Sequence, residues 1–124
     1  MQVHLIAIQD EGAIASLQGE IDIAEQVEQV SGHLLEEVVL LGERSSTELQ
    51  PILNVASPDV QASHGAKVHR IAPDTLFYLQ SRGLDQAAAL SLVIDSYLQR
   101  ILGHFELSED QQTTIYSFME GNHA

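Results

Sequence analysis

The hydrophobic period of this chain changes once, near Pro73, and that change limits the fold more than any other feature of the sequence. Up to about Ile71, short runs rich in Val, Ile and Leu are separated by Gly, Ser, Asp or Pro, with alternation visible in Glu20-Ile21-Asp22-Ile23. The pattern predicts strands at Val3 to Ile8, Ala13 to Gln18, Glu20 to Ile23, Gln26 to Val30, Leu34 to Leu41, Ile52 to Val55, Val60 to Ala62 and Lys67 to Ile71. Leu34 to Leu41 also suits a helical turn, because Glu36 and Glu37 favour helix and periodicity alone does not decide. No repeat of fixed period is visible, so this half read in isolation suits a small sandwich or barrel.

From Pro73 onward the spacing is helical. Pro73 in a first turn followed by Asp74 starts a helix through Ser81, and Gly83 supplies a left-handed stop after Arg82. Asp85 caps a second helix reaching about Gly103, with Leu90, Ile94, Tyr97, Leu98, Ile101 and Phe105 as its core stripe. Ser108 and Gln111 have capping-box spacing for a third helix, whose apolar face carries Ile115, Phe118 and Met119. The expected class is α+β, with β structure over 1–71 and a three-helix subdomain over 72–124, joined in one compact unit.

Charge and cysteine usage narrow the function. Across 124 residues, 18 acidic side chains against 5 basic ones leave a net charge of −13, which repels nucleic acid and anionic lipid and offers no polybasic stripe. Nucleic acid and membrane partners are therefore not expected. With no cysteine in the chain, disulfides and thiolate ligation by this chain are excluded. Met1 to Ile8 lacks the basic region of a secretory signal, and the longest apolar run, Val38 to Leu41, is far shorter than a membrane span, so a cytoplasmic location is the expectation.

Catalytic signatures are absent: the sequence holds no HExxH, no GxSxG and no GxxxxGK[ST], and ATP hydrolysis or other enzymatic activity is not expected. His64 and His69 are five residues apart in extended chain, on opposite faces, and cannot chelate one metal together. His4, His33, His104 and His123 have no ligand spacing among themselves and read as surface or locally bonded residues. His64, between Ser63 and Gly65, reads by itself as a turn or hydrogen-bonded residue, although a neutral imidazole can ligate iron or move a proton near neutral pH. Arg82 and Gly83 read as a helix terminus, and Phe77 and Tyr78 as aromatic anchors between the β region and the helices.

The stretch Val60 to Leu84, VQASHGAKVHRIAPDTLFYLQSRGL, resembles the C-terminal end of the SufB/SufD family, the scaffold subunits of the SUF iron–sulfur cluster assembly machinery, whose signature runs close to SHGAT followed by LFYLxSRG. LQGEIDI (Leu17 to Ile23) and SSTELQPILNVASPDVQASHG (Ser45 to Gly65) read like the last coils of that family's β-helix. The resemblance implies a short β-helix-like (β-solenoid) N-terminal part before the helices, and it implies that this chain corresponds to the C-terminal portion of longer members. It implies a SufD-like site role for His64 in cluster formation, since Gly65 stands where SufB proteins carry glutamate. Lys67 and His69 depart from the usual Thr and Gly.

The function implied by the resemblance is that of a non-catalytic scaffold component. Its segment from Leu76 to Phe105 docks a SufC-like ABC ATPase, and it pairs with a SufB-like scaffold or with a second copy of itself as a homodimer. No cofactor is bound stably; an iron–sulfur cluster is met only transiently, with a partner supplying the thiolates and a carboxylate. Two alternatives stand beside it. One is a degenerate, self-associating structural or regulatory domain, and the other a histidine-dependent metal-binding protein in which His64 works with a carboxylate such as Asp59.

Overall fold

A computed structural model describes residues 1–123, the last four of these by backbone alone. Five strands come first: β1 (Gln2–Gln9), β2 (Ile14–Ile23), β3 (Val30–Leu40), β4 (Ser46–Val55) and β5 (Val60–Arg70). Three helices follow: α1 (Pro73–Ser81), α2 (Gln86–Leu102) and α3 (Glu109–His123). The mixed α+β class is as the period change predicts. The backbone divides into two compact units, Met1–Ile71 and the helical part from Ala72 onward.

In the first unit the chain alternates between two sheets. Strands β1, β3 and β5 form one sheet in that order and β2 and β4 form the other, every pairing parallel. Gln2 lies opposite His33, Ile14 opposite Ser46 and Val30 opposite Val60, so the ladder advances by 31, 32 and 30 residues. A parallel pair needs a long crossover, and here the crossover is the strand of the other sheet. Because the turns vary in length, this near-period is invisible as a sequence repeat.

The apolar sides of the two sheets face each other. Ile21, Ile23 and Leu34 are buried together, with Val3, Leu5, Val27, Leu53, Val60 and Ala62 packed around them, each fully buried aliphatic side chain contributing about 1.5–3 kcal/mol. Turns stack on turns at both ends of the strands. At one end Ser45 Oγ donates to Asp10 O (2.6 Å) and Arg70 Nη1 donates to Gly42 O (2.8 Å) and Glu43 O (3.1 Å). At the other, Ser57 Oγ donates to Val27 O (2.6 Å) and the Gln29 amide to Asp59 O (2.9 Å).

Several expected strand boundaries are corrected. The segments Ala13 to Gln18 and Glu20 to Ile23 belong to one strand, β2, because Gly19 is not a break. A Cβ there would lie 2.9 Å from both Leu34 Cδ1 and Leu5 Cδ1, so the missing side chain admits the core of the facing sheet. Likewise β4 begins at Ser46, six residues before Ile52. Its Pro51 is tolerated because β4 has a neighbour on one side only. Gln26 to Val30 is mostly turn, with Gln29 at φ 55°, and Leu34 to Leu41 is strand rather than helix.

The helical unit follows its local signals closely. Pro73 opens α1 and Gly83 takes φ 99° just beyond it. Asp85 Oδ1 accepts from the Ala88 amide at 2.8 Å, and Ser108 and Gln111 form the reciprocal box, the Ser108 amide donating to Gln111 Oε1 at 2.9 Å and the Gln111 amide to Ser108 Oγ at 3.3 Å. The buried stripe of α2 is Ala89, Val93, Ile94, Leu98 and Ile101. Phe105 falls beyond the end of that helix and is partly exposed, and Phe118 on α3 is largely exposed. No described helix is long and apolar enough to cross a membrane.

Candidate functional site

The candidate residues converge on the last strand of the three-stranded sheet. Ser63, His64 and Gly65 lie inside β5, not in a turn, and pair with His33, Leu34 and Leu35 of β3. Alternation places Ser63 and Gly65 on the outer face and His64 on the inner face, the one turned toward the other sheet. Ser63 Oγ is 2.7 Å from His33 Nδ1 across the ladder. His64 shares its ladder position with Leu34 of the core, yet it is exposed, because β5 has a strand on one side only. Its backbone is thus held in a continuous strand, and its imidazole is open to an incoming group.

His69 points the other way, as its five-residue spacing from His64 requires, and joins a cluster that the sequence did not indicate. Glu37 on β3 is 1% exposed, with His4 Nε2 from β1 at 3.0 Å from its Oε2 and His69 Nε2 from β5 at 2.7 Å from its Oε1. The His69 contact has the distance of an ion pair without the alignment of a hydrogen bond. One buried carboxylate therefore links all three strands of the sheet on its outer face. Finding this cluster requires knowing that positions about 31 residues apart stack, and no local motif carries that information.

Its neighbour Glu36 is also buried, 0% exposed, but on the inner face. Its ladder partners there are Leu5 and Ala66, and neither carboxylate oxygen has a hydrogen-bond partner among the described residues. Asp59, the carboxylate expected as a companion for His64, is instead exposed in the turn before β5. Among the described residues, no group of three or more His, Asp or Glu side chains is arranged to hold a metal ion.

In the helical unit the signature residues sit on an exposed surface. Phe77 is 73% and Tyr78 55% exposed. The Arg82 guanidinium lies 5.2 Å from the centroid of the Tyr78 ring, a cation–π contact that holds the arginine against the helix. Arg82 is also the residue that ends α1, ahead of Gly83. On α2, Leu92 is half exposed. The side chain of His123 lies outside the described residues.

Comparison with known proteins gives one consistent result. Residues 2–97 match the family described as SUF system FeS cluster assembly, SufBD core domain. The chain is 32% identical over 96 residues to the iron–sulfur cluster assembly protein SufD of Escherichia coli K12, covering 77% of this chain and 22% of that protein. It is 30% identical over 110 residues to an iron–sulfur cluster assembly SufBD family protein of Synechocystis, covering 89% and 24%. Over 104 residues it is 28% identical to the chloroplastic protein ABCI7 of Arabidopsis thaliana, covering 84% and 22%. The chain thus spans less than a quarter of the length of these relatives.

Proposed function

The chain belongs to the SufBD core family of the SUF iron–sulfur cluster assembly system, and from that premise we propose that it is a non-catalytic, SufD-like scaffold component. The observation that carries this reading is the extent of the family match, which takes in both sheets, the Ser63-His64-Gly65 segment and α1 with most of α2. We read the alternation of parallel strands between two sheets as a short β-solenoid, each coil using the last as its template.

His64 is the residue that meets the cluster. An exposed imidazole on a rigid strand can offer nitrogen to iron or move a proton. The cluster itself is cargo: with no cysteine in the chain, its thiolates come from a SufB-like scaffold chain or another partner. The helical unit supplies the second contact. Phe77, Tyr78 and Leu92 are exposed apolar side chains on α1 and α2, of the kind that anchor helices in a partner's groove, and the partner proposed is the ATPase of the SUF system.

Light-scattering mass measurement tests the reading. The chain mixed with a SufB-like scaffold and a SUF ATPase is expected to co-elute as one discrete complex, and three components eluting separately at their own masses would contradict it. A second reading, a self-associating domain without cluster chemistry, is favoured by the absence of cysteine; a mass of two copies unchanged by either partner would select it.

A further inference from the structure

Glu36 is the least accommodated group in the β unit. It is 0% exposed, both of its oxygens lack a hydrogen-bond partner among the described residues, and its surroundings on the inner face are aliphatic: Leu34 and Val38 along its own strand, Leu5 and Ala66 across the ladders. Gly19, which approaches Leu5 and Leu34 from the facing sheet, adds no polar side chain. Burying an uncompensated carboxylate is costly, and a buried group without partners calls for a reason.

The nearest candidate companion on that face is His64. It lies one strand over and two residues before Ala66, the ladder partner of Glu36. With strands about 4.8 Å apart and a rise of about 3.3 Å per residue, the two α-carbons are roughly 8 Å apart, a span that a glutamate and a histidine side chain bridge together. Ala66 and His64 are both exposed, so the two β5 residues beside Glu36 on that face are open to solvent.

We propose that Glu36 and His64 form a two-ligand half-site for a divalent first-row transition metal ion, completed by water or by groups of another chain. One carboxylate oxygen and one imidazole nitrogen suit ions such as Fe²⁺, Co²⁺ or Zn²⁺. Entry of the cation supplies the partner that Glu36 lacks. The inference rests on the reading of His64 as a site residue and adds to it a carboxylate from the same chain. It does not depend on any partner protein.

Cobalt(II) titration of the chain, purified without a histidine tag and followed by visible absorption, tests the half-site. Saturable binding of one ion is expected. Glu36→Gln and His64→Ala are each expected to weaken it by at least the roughly tenfold that losing even an outer-shell partner costs, and His33→Ala, on the outer face, is expected to leave it unchanged. No saturable binding at millimolar cobalt, or Glu36→Gln binding like the parent, would overturn the proposal. As a check on folding, Glu36→Leu is expected to melt at or above the temperature of the parent while losing cobalt binding; a lower melting temperature would show that the carboxylate is satisfied structurally and would likewise overturn it. Because the titration uses this chain alone, it can fail while the three-component complex forms, and the reverse.

Discussion

Adjacent residues of one strand have opposite fates in this protein. Glu37 reaches histidines on both neighbouring strands, whereas Glu36, one step away, faces aliphatic side chains. Removing the charge of Glu37 leaves two imidazoles with a weaker acceptor, so Glu37→Gln is expected to destabilise the β unit by about 1–3 kcal/mol in urea unfolding. A change within error would mean that the three-strand link contributes little. Gly19 makes a second residue-scale test. Gly19→Ala inserts a methyl group against Leu34 and Leu5 and is expected to cost about 1–3 kcal/mol in the same assay. At the surface, the Arg44 side chain donates to Glu11 at 2.7 Å and holds that carboxyl below its ordinary value of 4.5, through the hydrogen bond first and its charge second. A lowered folded-state value means that the pair's contribution is present above the ordinary value and is lost as the pH falls through the folded one. In Arg44→Ala, stability is therefore expected to fall less steeply in acid below about pH 4.5, an effect kept small by solvent exposure and readable as the difference between two melting-temperature profiles.

At the scale of elements, the helices were legible because their signals are local. Pro73, Gly83, Asp85 and the Ser108–Gln111 pair each act within one turn of where they stand, and each does what its residue type dictates. Replacing the cap, Asp85→Ala, is expected to cost about 0.5–2 kcal/mol and to fray the first turn of α2, visible as faster amide exchange at Ala88. Unchanged exchange there would mean that the cap does not hold the helix start. The strands were legible in number of apolar runs but not in extent. Gly19, Pro51 and Gly65 are breakers by local rules, and all three lie inside strands because the facing sheet needs the space, the edge needs no donor, or the ladder simply continues. For the same reason His64 was recognisable by its neighbours in sequence, while its place on an inner face was not. The His4–Glu37–His69 cluster depends on stacking at about 31 residues, which no window of sequence displays.

For the whole molecule, two kinds of surface matter: a rigid strand that presents one histidine, and helices that present exposed aromatic and aliphatic side chains. The family match runs across both. A net charge of −13 disfavours nucleic acid and anionic membranes. The most direct test is a calorimetric titration of the chain into a SUF ATPase, run beside Phe77→Ser and Leu92→Ser variants whose side chains are exposed and so leave the fold intact. Saturable binding by the parent, weakened by about tenfold or more in the two variants, is the expected result. No heat of binding with the parent, or equal binding by all three proteins, would contradict a scaffold that docks through its helices.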